Sequence, residues 1–152
     1  MKILGIRTAP QQIRYALVDY DGTTWTLSNA SSENLIRKPA GILEMPEQLK
    51  WTYDELERII RQNPDIDRIG LKTAEYGSRE DSSSRTGAYL DALVLLVSAN
   101  MGIPVTPRLY TQLGTKRATV KADAETRVGR TITAWNEQMA DAIAVAWMVS
   151  RC

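Results

Sequence analysis

The sequence predicts an α/β domain, a mixed sheet with helices packed on both faces. Residues 1–27 read as three short strands joined by turns, and from residue 46 onward helical and extended patterns alternate. A meander followed by helix, strand, helix, strand and further helices closes into a mixed sheet covered by its own crossovers. The nearly uninterrupted apolar run near the C-terminal end supplies a helix that has to be buried.

The stretch "ILGIRTAPQQIRYALVD", Ile3 to Asp19, opens the order. Ile3, Leu4 and Ile6 predict one strand, Tyr15 to Val18 a second and Trp25 to Leu27 a third, with "DYDGTT" as the hairpin turn. Arg7 thus stands where an apolar strand ends, and a full positive charge there demands a reason. Residues 29–43 mix polar residues with Pro39 and Gly41 and read as a connection.

Pro46 begins a helical pattern in which Leu49, Tyr53, Leu56 and Ile60 recur at three- and four-residue spacing, ending before Pro64. "RIGLKT", Arg68 to Thr73, predicts a strand, and "EYGSREDSSSRTG" a polar loop leading into an apolar helix from about Thr86 to Met101. "GIPVTP" predicts another strand. The remainder predicts helix: a basic segment at Thr115 to Thr119, a helix near Ala122 to Thr133 and a last one near Glu137 to Ser150.

Composition sets limits. With 152 residues, 43% of them hydrophobic, the chain is sized for one domain, residues 1–152. A net charge of +1 from 19 basic and 18 acidic residues gives no global field, so any binding patch is local. The chain has no histidine, which excludes Ser-His-Asp and Cys-His mechanisms and the usual histidine-containing zinc sites. Its one cysteine, Cys152, permits no internal disulfide. No charged-then-apolar leader follows Met1 and no apolar run is long enough to span a bilayer, so a soluble, cytoplasmic protein without membrane partners is expected.

In the last helix, "QMADAIAVAWMVS" carries one ionisable residue, Asp141. A carboxylate on so apolar a helix either lies near the positive end of the helix dipole or needs a buried partner.

The order of elements and its motifs resemble the RuvC family of Holliday-junction resolvases, which have a ribonuclease-H-like fold. "ILGIRTAPQQIRYALVD" resembles the family's first hairpin, whose opening strand has the form I-L-G-I-D-P-G. "MPEQLKWTYDELERIIRQNPDIDRIGLKTAEYG" resembles its first helix and fourth strand, and "ADAIAVAW" its C-terminal "ADALAIA" helix. The resemblance implies a ribonuclease-H-like five-stranded sheet, a three-strand antiparallel meander plus parallel strands.

Members of the family cut DNA with four carboxylates that hold two magnesium ions. The resemblance places the first acid at Arg7, the second at Lys72 and the last two at Gln138 and Asp141. Only Asp141 keeps a carboxylate, so the aligned site goes from four minus to one plus. Arg7 is then a charge reversal at the leading metal position, and no metal cofactor is expected. The resemblance also implies DNA contacts, branched or duplex, from Arg7 and Lys72 at the old metal site and from Arg79, Ser82, Ser83, Ser84 and Arg85 in the loop, opposed by Glu80 and Asp81. Lys116, Arg117 and Lys121 offer a further basic edge. The helix at 86–101 is apolar on more than one face and implies a homodimer.

Three functions follow: an inactive nucleic-acid-binding or structural subunit, a divergent nuclease in which magnesium is held by Asp141, Glu75 and another acid, or a protein-interaction module.

Overall fold

The computed structural model describes residues 1–77 and 80–152. Strands β1 (Lys2–Ala9), β2 (Gln12–Tyr20), β3 (Trp25–Leu27), β4 (Leu35–Arg37), β5 (Ile66–Lys72) and β6 (Val105–Arg108) form one sheet. Its order is β3-β2-β1-β5-β6, with β1 antiparallel to β2, and β5 parallel to both β1 and β6.

The sequence predicts five strands; the sheet has six among the described residues. The additional one is β4, which lies in the segment expected to be a connection. It pairs Leu35, Ile36 and Arg37 with Arg14, Ile13 and Gln12, while β3 pairs with the other end of the same β2 edge. Buried Asn29 bridges the gap between them, accepting from the Leu17 N–H at 2.8 Å and donating to the carbonyls of Tyr15 and Glu33. Ile36 is the one residue of β4 that turns into the core, and a single inward residue has no period-2 signature.

Alternation along the strands sorts their side chains to two faces. Leu4, Ile6, Leu17, Ile69 and Leu71 pack with α1 (Met45–Gln62) and α2 (Ser82–Asn100). Ile3, Ala16 and Val18 pack on the other face with α4 (Val120–Arg127) and α5 (Glu137–Ser150). The helices-on-both-faces architecture is as the sequence predicts. Among the described residues no helix is long and apolar enough to cross a membrane.

Helix ends are set by local chemistry. Helix α1 has Pro46 in its first turn and Arg61 in its last, and Asn63 closes it by donating to the Ile59 carbonyl. Helix α2 starts at Ser82, ahead of the expected start near Thr86, because Asp81 and Ser84 form a capping box. The expected helical segment at Thr115 to Thr119 is instead turn and irregular chain after the short α3 (Tyr110–Leu113). Helix α4 stops at Arg127, well short of Thr133, where Gly129 takes a φ of 149°. Asn136 then caps α5 through the Met139 N–H at 2.9 Å.

Helix α5 lies very close to the sheet. Gly5 and Gly70 are register partners on β1 and β5, directly beneath it. A Cβ on Gly5 would stand 2.0 Å from the Ala142 carbonyl oxygen, and one on Gly70 3.0 Å from that of Val145. Gly5→Ala is therefore expected to destabilise the protein by about 3 kcal/mol or more in a urea titration, since main chain has to move. Gly70→Ala should lose only about 1–2 kcal/mol, because its clash is shallower. Equal losses would show that the two glycines do not set the helix height.

Candidate functional site

Lys72 ends β5 and its register partner Arg7 lies two residues before the end of β1, which runs on to Ala9 past the expected strand end; both stand two residues beyond the paired glycines and on the same face. The closeness of α5 brings Asp141, in its second turn, onto them. Gln138, one turn earlier, accepts from the Gln12 side chain at 3.2 Å. The structure thus gathers Arg7, Lys72, Gln138 and Asp141 at one end of the sheet.

Asp141 is 1% exposed and is paired, as its burial requires. Its Oδ2 accepts from Arg7 Nε at 3.1 Å and its Oδ1 from the Tyr110 hydroxyl at 2.6 Å. Burial nonetheless holds its carboxyl above the ordinary value, against the Tyr110 hydrogen bond and the charges of Arg7 and Lys72. Burial and the bond to Asp141 likewise push the Tyr110 phenol up.

Lys72 is also 1% exposed. Its ammonium donates to the Thr73 carbonyl, lies 3.2 Å from Glu75 Oε1 and sits 4.1 Å from the centroid of the Tyr110 ring. Burial lowers its pKa, opposed by the hydrogen bond to Glu75 and reinforced by Arg7. Tyr110 therefore uses three groups here: its hydroxyl on Asp141, its ring beneath Lys72, and its main-chain N–H, which Glu75 accepts at 2.7 Å.

On the opposite face, Thr8 donates to Asp91 of α2 at 2.6 Å. Burial raises the Asp91 carboxyl, opposed by Thr8 and by the charge of Arg7. Successive residues at the end of β1 thus each meet a carboxylate, Arg7 from α5 and Thr8 from α2. The register extends the cationic line: Arg14 on β2 pairs with Arg7, and Arg108 on β6 pairs with Lys72. Four basic residues on adjacent strands make one transverse row. Arg14 and Arg108 donate to main-chain carbonyls, those of Ala134 at 2.7 Å and Pro107 at 3.0 Å, with no carboxylate partner among the described residues.

The other sequence candidates are dispersed. Ser82, Ser83, Ser84 and Arg85 lie in the first turn of α2 rather than in a loop. Ser84 is committed to the cap, and Arg85 is paired with Glu80 at 2.9 Å. Ser83 and Ser84 face Arg7 across a cleft of about 350 Å³. Arg117 is exposed, pairs with Glu137 at 2.7 Å and lines a second cleft with Arg7 and Lys72. Lys116 and Lys121 are exposed on the turn and on α4. Arg79 lies outside the described residues.

Sequence reasoning overlooks Tyr110, Asp91, Arg14 and Arg108. Asp91 carries the signal that marks Asp141, being the one ionisable acid in an otherwise apolar helical run. Arg14 alternates with Ala16 and Val18 on an inward face. Tyr110 and Arg108 show only in the tertiary pairing.

The donor set does not suit a divalent cation. Both oxygens of Asp141 are already bonded, two cations stand beside it, and no three carboxyl or thiol groups among the described residues converge on a point.

Exposure makes the Arg7–Asp141 pair asymmetric: the Arg7 side chain is 21% exposed and that of Asp141 1%. Arg7→Met leaves a buried carboxylate and should destabilise by about 3–5 kcal/mol at pH 7, more than Asp141→Asn does, with Arg7→Met/Asp141→Asn recovering much of the loss. The folded-state pKa of Asp141 exceeds the unfolded value, so native stability falls as pH rises through the interval above 3.8. The loss in Arg7→Met should accordingly shrink as pH is lowered through that interval. A pH-independent loss, or no coupling in the cycle, would mean that the pair does not govern the site.

Compared with known proteins, the chain matches no family model and no curated protein sequence. Solved structures do match. The RuvC of Thermus thermophilus superposes with a TM-score of 0.79 at 13% identity, covering 99% of this chain and 93% of that one. The same protein in complex with a Holliday junction substrate gives 0.77 at 15% identity with the same coverage. The yeast mitochondrial Holliday junction resolvase Ydc2 gives 0.64 at 13% identity over 96% of this chain and 77% of that one. The chain has the RuvC-like, ribonuclease-H-like fold of the Holliday-junction resolvases.

Proposed function

We propose that this chain is a RuvC-fold protein that binds nucleic acid without cutting it by the two-metal route. The row Arg14, Arg7, Lys72 and Arg108 carries this reading. Arg7 and Lys72 stand where the resembled enzymes place metal-binding acids, and Arg14 and Arg108, which flank them, have no carboxylate partner among the described residues; Arg14 and Lys72 are buried, so Arg7 and Arg108 are the members that reach solvent. Such a row suits a phosphate backbone, which is held by charge without being read for sequence. The solved complex of the Thermus thermophilus protein with a junction makes branched DNA the first ligand to test.

The test is a salt-dependent titration with branched, duplex and single-stranded DNA, with and without magnesium or manganese. Binding should weaken steeply with salt and be indifferent to the divalent ion beyond its ionic strength. Arg108→Gln should lower affinity and reduce the salt slope by about one. Absence of a salt slope, or metal-dependent cleavage of a four-way junction that Asp141→Asn abolishes, would overturn the reading.

Assembly is the second part of the proposal. Outward-facing Ala88, Tyr89, Ala92, Leu95, Leu96 and Ala99 make a continuous apolar stripe on α2, with Tyr89, Leu95 and Leu96 at 43%, 39% and 51% exposure. Leu93, by contrast, is partly buried against the core. We infer that the stripe packs on the same stripe of a second copy. The protein should sediment as a dimer at micromolar concentration, and Leu96→Glu should split it with no loss of helicity by circular dichroism. A monomer at every concentration would rule this out.

A further inference from the structure

Lys72 and Glu75 form an ion pair whose two members differ in freedom. Lys72 is 1% exposed, held between the Thr73 carbonyl and the Tyr110 ring, and cannot leave without unfolding the end of β5. Glu75 is 44% exposed and lies in the irregular chain after β5, where an outward rotation is open to it. Its Oε1 takes both the Lys72 ammonium, at 3.2 Å, and the Tyr110 N–H, at 2.7 Å. A buried ammonium and a main-chain N–H aimed at one oxygen make an oxyanion cradle, and Glu75 fills it from its own chain. Beside it opens a cleft of about 200 Å³, lined also by Arg7, Arg117 and Glu137, the last paired with Arg117 at 2.7 Å.

We propose that this cradle is a phosphate subsite plugged by Glu75, and that a backbone phosphodiester of bound nucleic acid displaces the carboxylate. The inference rests on the nucleic-acid reading above and gives it a location and a brake. Charge conservation favours the exchange: carboxylate and phosphodiester each carry one negative charge, so Lys72 stays compensated, as no neutral ligand could keep it. Arg7, whose Nη2 is not used by Asp141 or Thr8, and Arg117, whose exposed pair with Glu137 bonds only its Nε, supply donors for the remaining phosphate oxygens. The wild-type protein then binds more weakly than its cations would allow, because each phosphate entering here first has to expel a tethered anion.

Glu75→Gln keeps an oxygen for the Tyr110 N–H and removes the charge; because it leaves buried Lys72 without its anion it lowers the melting temperature, so the titrations are run below that temperature on variant protein shown to be folded by circular dichroism. The full chain, Glu75→Gln and a control Glu47→Gln, which removes an exposed charge on α1 outside this cleft, are titrated with a four-way junction and a duplex over about 50–200 mM salt. Glu75→Gln should bind about three- to fivefold more tightly, with a salt slope steeper by about one, and adding Arg117→Gln should cancel the gain. Inorganic phosphate should raise the melting temperature of Glu75→Gln more than that of the wild type. If the wild type binds DNA and Glu75→Gln binds no tighter, or Glu47→Gln gains equally, the subsite is wrong and the nucleic-acid reading stands. If neither binds DNA but phosphate still selectively stabilises Glu75→Gln, the subsite stands and the nucleic-acid reading fails. No response to either ligand overturns both.

Discussion

The separation between α5 and the sheet governs the rest of this molecule. Two glycines in register, Gly5 and Gly70, remove the Cβ atoms that would otherwise hold the helix away, and the main chain of Ala142 settles into the space. Only at that height does Asp141 reach the ends of β1 and β5. Ten residues of α5 are buried as a result, so the helix is at once the wall of one core layer and the carrier of a site residue. Packing and polar chemistry are therefore not separable here.

The two ion pairs at the strand ends are built in opposite senses. In Arg7–Asp141 the acid is sealed and the base reaches solvent; in Lys72–Glu75 the base is sealed and the acid reaches solvent. Each buried member needs its partner, because an isolated ion in the interior is strongly unfavourable. Tyr110 joins the pairs through its hydroxyl and its ring, so that a single residue from α3 contacts both sealed charges. An end of the sheet that would suit divalent cations if it were lined by acids is occupied here by side-chain cations, of which Arg7 and Lys72 are each paired with one carboxylate.

Much of the fold was legible in the chain, for identifiable reasons. Strands β1, β2 and β5 show as apolar runs, and the span of α5 follows from the apolar run from Gln138 to Ser150. Strand β4 was not legible, because three residues with one inward isoleucine leave no period, and its pairing depends on Asn29 at a distance. The start of α2 was obscured by serines that read equally as loop and as cap, and Asp81 decides between them only once its side chain is seen accepting from Ser84. At the site, Arg7 and Asp141 stood out as lone charges in apolar surroundings, and the same logic applied to Asp91 would have found it too. Tyr110 has no such mark: its three partners lie 31 to 38 residues away and meet it only through the parallel crossover into β6.

The margins of the sheet carry a consequence of a different kind. One edge is split between β3 and β4, three residues each, with the Asn29 turn standing between them; the other is β6, four residues with Pro107 lacking an N–H. Neither offers the long, regular row of free donors and acceptors on which a foreign strand can template. The protein is thus guarded against edge-to-edge aggregation, because neither margin can be continued by a second sheet.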